Sequence, residues 1–163
     1  MALFLSTYAN KVDKKGRVSI PALFRSVLQN ENFHGIVAYP SFVDGCIEAC
    51  GMQRIERLSE SIDELDPFSD EHSAFAVSIL GESMQLSFDG EGRVVVPEKL
   101  LQEAGISDQA VFVGKGKTFQ IWSPEKYEEY ANKARDFARK NRGSLSLHGR
   151  RDENAKRGGE NVE

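Results

Sequence analysis

Apolar residues fall into short blocks along this chain, and each block is patterned for one kind of element. Met84-Gln85-Leu86-Ser87-Phe88 alternates apolar and polar residues, which predicts a strand with one buried face. Ile36-Val37-Ala38-Tyr39 and Ala110-Val111-Phe112-Val113 are short strands too, as are Cys46-Ile47-Glu48-Ala49-Cys50-Gly51 and Phe119-Gln120-Ile121-Trp122-Ser123-Pro124. Ile55, Leu58, Ile62 and Leu65 return at helical spacing and put one apolar stripe on a helix. Tyr127, Tyr130, Ala131, Ala134, Phe137 and Ala138 do the same for a second helix. Asp66-Pro67-Phe68-Ser69-Asp70 is a break, with Ser69 or Asp70 able to cap a further helix that runs through Leu80 to Gly81. The apolar pattern stops near Asn141.

These blocks repeat. Val12-Asp13-Lys14-Lys15-Gly16-Arg17-Val18-Ser19-Ile20-Pro21 matches Phe88-Asp89-Gly90-Glu91-Gly92-Arg93-Val94-Val95-Val96-Pro97 at an offset of 76 residues. Both read apolar, Asp, two variable residues, Gly, Arg, Val, one variable residue, apolar, Pro. Each proline suits the start of a short helix, Ala22-Leu23-Phe24-Arg25 or Glu98-Lys99-Leu100-Leu101. Each half therefore runs strand, Gly turn, strand, short helix, strand, strand, helix. A half of roughly 70 residues is near the lower limit for a core of its own, so the two are expected to share one core about a pseudo-twofold axis.

The size of the chain, 163 residues, fits that arrangement, and its 40% hydrophobic and 28% charged composition is that of a globular protein. No apolar run approaches the roughly 18 residues of a membrane span, and Met1-Ala2-Leu3-Phe4-Leu5 lacks the basic flank of a signal peptide. A cytoplasmic location is expected. Two cysteines make no disulfide framework. The formal net charge of -4 argues against a polyanionic partner, but it is unevenly distributed. Residues 1–43 carry five basic and two acidic groups, residues 44–108 four and fifteen, and residues 109–163 twelve and eight. An acidic middle thus conceals a basic start and a basic end.

The repeated loop is the main candidate for chemistry. Glycine before arginine permits the positive φ of a sharp turn, and the aspartate can accept backbone or guanidinium hydrogen bonds. One reading is therefore a clamp that fixes the turn, made by Asp13 and Gly16 in one copy and by Asp89, Gly92 and Arg93 in the other. Alternatively, an arginine on a loop or β-ribbon contacts phosphates or the acceptor edge of guanine. Charge separates the copies: Asp13, Lys14, Lys15 and Arg17 sum to +2, whereas Asp89, Glu91 and Arg93 sum to -1. Lysine forms the turn no better than glutamate, so the first loop, with Arg17, Lys14 and Lys15, is the candidate polyanion reader.

The paired Asp-x-x-x-Arg signatures, the Gly-Arg-Val-Ser-Ile-Pro segment, Ile79-Leu80-Gly81 and the Phe-Gln-Ile-Trp strand resemble the MraZ transcriptional regulators of bacteria, over about residues 3–140. The resemblance implies an α+β fold of two pseudo-symmetric SpoVT/AbrB-type swapped-hairpin halves that form one β-barrel core with flanking helices. It implies modules at 3–66 and 83–140 with a linking helix at 67–82, and the loss of apolar pattern beyond them leaves 141–163 as an expected polar, disordered tail. It further implies a homo-oligomeric ring, associated with the nucleoid, that binds direct repeats in its own promoter region. The implied action is repression of the cell-division and cell-wall gene cluster and of the regulator's own gene. Arg17 corresponds to the family's DNA-contacting arginine, with Lys14 and Lys15 beside it.

Other readings are weaker. Cys46 and Cys50, with His34, His72 and His148 unpaired in spacing, do not form a metal site and read as buried thiols. No nucleophile elbow, P-loop, dinucleotide fingerprint or zinc-protease pattern points to catalysis, a cofactor or a small-molecule ligand. An AbrB-type antitoxin that binds a toxin and its own promoter is the main alternative, with residues 143–163 as the toxin-binding tail. A purely structural assembly protein, its loops serving only as clamps, is another. Arg135, Arg139, Lys140 and Arg142 suit a helix C-terminus by the dipole; together with Arg150, Arg151, Lys156 and Arg157 they could attract DNA non-specifically.

Overall fold

A computed structural model describes residues 2–147; the tail expected at 141–163 lies largely outside the described residues, with His148, Arg150, Arg151, Lys156 and Arg157. Compactness divides the chain into a unit ending at Tyr127 and a second beginning at Glu128. The first unit holds β1 (Thr7–Lys11), β2 (Arg17–Ser19), α1 (Ala22–Val27), β3 (Gly35–Pro40), β4 (Ile47–Cys50) and α2 (Met52–Asp63). It continues through α3 (Asp70–Phe75), β5 (Met84–Ser87), β6 (Arg93–Val95), α4 (Glu98–Ala104), β7 (Gln109–Gly114) and β8 (Phe119–Trp122) to the start of α5 (Pro124–Lys140). In the second unit α5 carries Phe137 at 68% exposure, so the distal part of its predicted apolar stripe faces water.

Pro21 and Pro97 stand immediately before the first residues of α1 and α4. Gly105 ends α4 at a φ of +69°. The helix expected from Ser69 to Gly81 has two parts. Ser69 caps α3, its Oγ accepting from the His72 amide at 3.2 Å, and Ala76–Gly81 then winds as a π-helix.

Six strands form an antiparallel sheet in the order β1-β7-β8-β4-β3-β5. Exchanging every strand for its repeat counterpart gives the same order read from the other edge. Strands cross between the halves: β1 pairs with β7, from Thr7 opposite Val113 to Lys11 opposite Gln109, and β5 pairs with β3. The remaining two strands, β2 and β6, make a separate antiparallel ribbon.

The closed β-barrel expected from the sequence is not formed. β1 and β5 are the edges of an open sheet, and just beyond β1 the ribbon meets the chain at the bridge of Val12 with Val18, beside a hydrogen bond from the Asn10 side-chain amide to the Ser19 carbonyl. β2 and β6 pair with each other and not with the edge strands, so the continuous ladder that closure requires stops at β1 and β5.

Both halves contribute to one core. Val18 and Ile20 from β2 and its continuation, and Val94 and Val96 from β6 and its continuation, are at most 2% exposed. They pack in a cluster with Phe4, Phe24, Phe112 and Phe119, where the Phe24 ring meets Phe4 edge-on with centroids 5.3 Å apart. A smaller cluster joins Val37, Tyr39 and Cys50 to Ile55 and Ile62 of α2 and Ile79 of the π-helix. Cys46 and Cys50 are buried free thiols. Desolvation pushes the Cys50 thiol up to about 12 and moves Cys46 in the same direction, so neither ionises near neutral pH.

Candidate nucleic-acid interface

The two loops ahead of the ribbon have one architecture. In the first, the Gly16 amide donates to the Asp13 carbonyl at 3.0 Å, and the Asp13 amide to the Arg17 carbonyl at 3.0 Å. The Asp13 side chain fills the turn: Oδ1 accepts from the Lys15 and Arg17 amides, each at 2.9 Å, and Oδ2 from Arg17 Nε at 2.6 Å. In the second, Asp89 Oδ1 accepts from the Glu91 and Arg93 amides at 2.8 and 2.9 Å, and Oδ2 from Arg93 Nε at 2.9 Å. Gly16 and Gly92 take φ values of +82° and +75°, which a side chain would resist.

These hydrogen bonds favour the ionised carboxylates. The Arg17 amide foremost, with its guanidinium and the Lys15 amide, holds Asp13 below the ordinary carboxylate range, against the opposing cost of desolvation. The Arg93 amide does the same for Asp89, followed by the Glu91 amide and the Arg93 guanidinium. The hydrogen bond to Asp89 in turn raises Arg93.

The ribbon brings the loops together. Arg17 stands opposite Val95 and Ser19 opposite Arg93, while Val18 and Val94 face the core. Strand alternation therefore puts Arg17, Ser19, Arg93 and Val95 on the outer face. Each loop is bonded to the other half: the Val96 amide donates to the Gly16 carbonyl at 2.9 Å, and the Ile20 amide to the Gly92 carbonyl at 3.1 Å.

Local charge makes the loops unequal. Lys14 and Lys15 are exposed and have no ion pair among the described residues. Arg93 meets a second carboxylate, Glu91 Oε2 at 3.5 Å, in addition to Asp89. The first loop thus presents two unneutralised ammonium groups beside a paired arginine, and the second presents a glycine and a glutamate beside its own.

The loops also rest on different side chains, a feature that the sequence reading passed over. A Cβ added to Gly16 would meet the Val96 carbonyl oxygen at 2.6 Å and Leu101 Cδ1 at 3.7 Å; one added to Gly92 would meet the Arg25 guanidinium at 2.5–2.7 Å. Leu101 and Arg25 each stand four residues after the repeated proline. The repeat alignment sets Arg25 against Leu101, but it does not show that each packs under a loop glycine.

At the C-terminal helix, Lys140 is paired with Asp136 at 3.0 Å and Arg135 Nη1 donates to Asn132 at 3.2 Å. Among the described residues, no group of three or more His, Cys, Asp or Glu side chains could hold a metal ion, and no helix is long and apolar enough to cross a membrane.

Residues 79–145 match a family described as "MraZ protein, putative antitoxin-like". A protein of Rickettsia africae named "Transcriptional regulator MraZ" is 53% identical over 145 residues, which cover 89% of this chain and 97% of that protein. A protein of the same name from Rickettsia canadensis is 54% identical over the same coverage. Another, from Rickettsia bellii, is 53% identical over 146 residues.

Proposed function

The chain belongs to the MraZ family of transcriptional regulators, a family of regulators and not of enzymes, and on that premise we propose that it acts by binding DNA through its first loop. One observation carries this reading: two loops with the same backbone hydrogen bonds differ in charge, and only the first carries free, exposed lysines. Turn geometry needs neither Lys14 nor Lys15, since the second loop forms the same turn with Gly90 and Glu91. A DNA backbone uses both.

In this reading Lys14 and Lys15 neutralise phosphates, and Arg17, on the outer face of the ribbon, reaches a base edge. Asp13 and Gly16, with Asp89, Gly92 and Arg93 in the other copy, hold the loops in shape. The halves at 3–66 and 83–140 are SpoVT/AbrB-type modules joined by residues 67–82. Two or three phosphate contacts give weak, salt-sensitive binding, because each contributes about -0.9 to the log–log salt slope. A ring of subunits overcomes this by raising the effective concentration of later contacts, and a head-to-tail ring matches direct repeats because one rotation relates successive subunits. Occupied repeats in the protein's own promoter region, upstream of a cell-division and cell-wall cluster, would repress that cluster in the cytoplasm, at the nucleoid. The antitoxin alternative gains no observation in its favour.

The test compares wild type with Arg17→Ala and with Lys14→Ala/Lys15→Ala on the DNA upstream of the gene. Arg17→Ala should lose preference for the repeats, and the lysine pair should make the salt slope shallower by about 0.9 for each contact removed. Undiminished, selective binding by folded Arg17→Ala would remove Arg17 from the reader role.

A further inference from the structure

Arg25 is the arginine around the two loops that has no carboxylate partner among the described residues. Its Nε donates to the Ile20 carbonyl at 3.1 Å, and its guanidinium lies against Gly92. The side chain lines a cleft of about 540 Å³ between α1 and the second loop, together with Ser26, Gln29, His34 and Asp89. Asp89 makes no ion pair with it: its carboxylate is held by the Glu91 and Arg93 amides and pairs with the Arg93 guanidinium.

The other half is an internal control. Leucine fills the corresponding seat beneath the first loop, and that loop keeps the same hydrogen bonds. The turn therefore does not require a cation at that seat. A half-buried guanidinium with spare donors, facing an open cleft, is suited to an anion.

We propose that Arg25 is the seat for a phosphate group; resting on the DNA-binding reading above, that group is a backbone phosphate of DNA lying beside the second loop. Arg25 returns to the second loop the positive charge that Glu91 takes from it. Both ends of the ribbon then hold the DNA backbone, while sequence is read at the first loop.

The experiment uses the full chain, wild type and Arg25→Leu, with Arg25→Met as a second variant that keeps an unbranched stem against Gly92. Affinity is measured over a range of salt concentrations for the upstream duplex and for an unrelated duplex, with melting curves to establish folding. The expected result is that the variants weaken both duplexes by a similar factor, leave their ratio unchanged, and make the salt slope shallower by about 0.9. Wild-type slope and affinity in either folded variant would overturn the proposal. If wild type binds neither duplex at low salt, the DNA reading fails, and titration with inorganic phosphate decides the seat separately. A saturable shift of the Gly92 amide resonance that Arg25→Leu abolishes upholds the seat for a free phosphate; no shift overturns it.

Discussion

Asp13 and Asp89 each satisfy two backbone amides and one guanidinium, so one short side chain sets the form of five residues. Because both carboxyls are held below their ordinary range, this stabilisation is fully present above that range and is lost as pH falls through the lowered values. The Arg17 and Arg93 amide resonances should therefore stay in place through the pH interval in which free carboxylates titrate and move only below it; movement within that interval would show the hydrogen bonds to be loose. Asp, Gly and Arg at fixed spacing made the turn legible, since its hydrogen bonds close within five residues. The contact of Arg25 with Gly92 was not, because it depends on how α1 of one half approaches the loop of the other.

Helix α2 shows the same division between near and distant causes. Its apolar stripe is plain in the sequence, and Ile55 and Ile62 are buried. Its start is not plain: Gly51 offers no side chain as a cap, and Glu31, far away in the chain, accepts from the Gln53 amide at 3.0 Å. Its carboxylate occupies the space that a Gly51 Cβ would take. Glu31→Ala should cost about 0.5–2 kcal/mol, the range for loss of an N-cap, measured by urea unfolding with intact protein as reference. A change within error would mean that water replaces the carboxylate. The π-helix at Ala76–Gly81 was equally hidden, because side-chain spacing over six residues does not distinguish which carbonyl each amide selects.

At the scale of the whole molecule, the internal repeat predicts a shared core, and the buried positions Val18, Ile20, Val94 and Val96 show it. The pairing of β1 with β7 and β5 with β3 was not legible, because an apolar run shows that a strand is buried without naming its partner. Separately made fragments 1–66 and 67–147 should each lack a cooperative melting transition and regain one on mixing, as followed by circular dichroism. A cooperative transition in either fragment alone would show that its half holds a sufficient core. The closed barrel failed as an expectation at this scale: closure depends on strand tilt and on which strands pair beyond β1 and β5, and the sequence repeat constrains neither.

The two glycine seats have a hereditary consequence. In a pair of identical chains, a codon change that put arginine at one seat would put it at both. Here Leu101 and Arg25 are written at separate places in one gene, so each can be mutated and selected alone. Duplication within the chain thus lets the two seats differ while both loops keep the same turn.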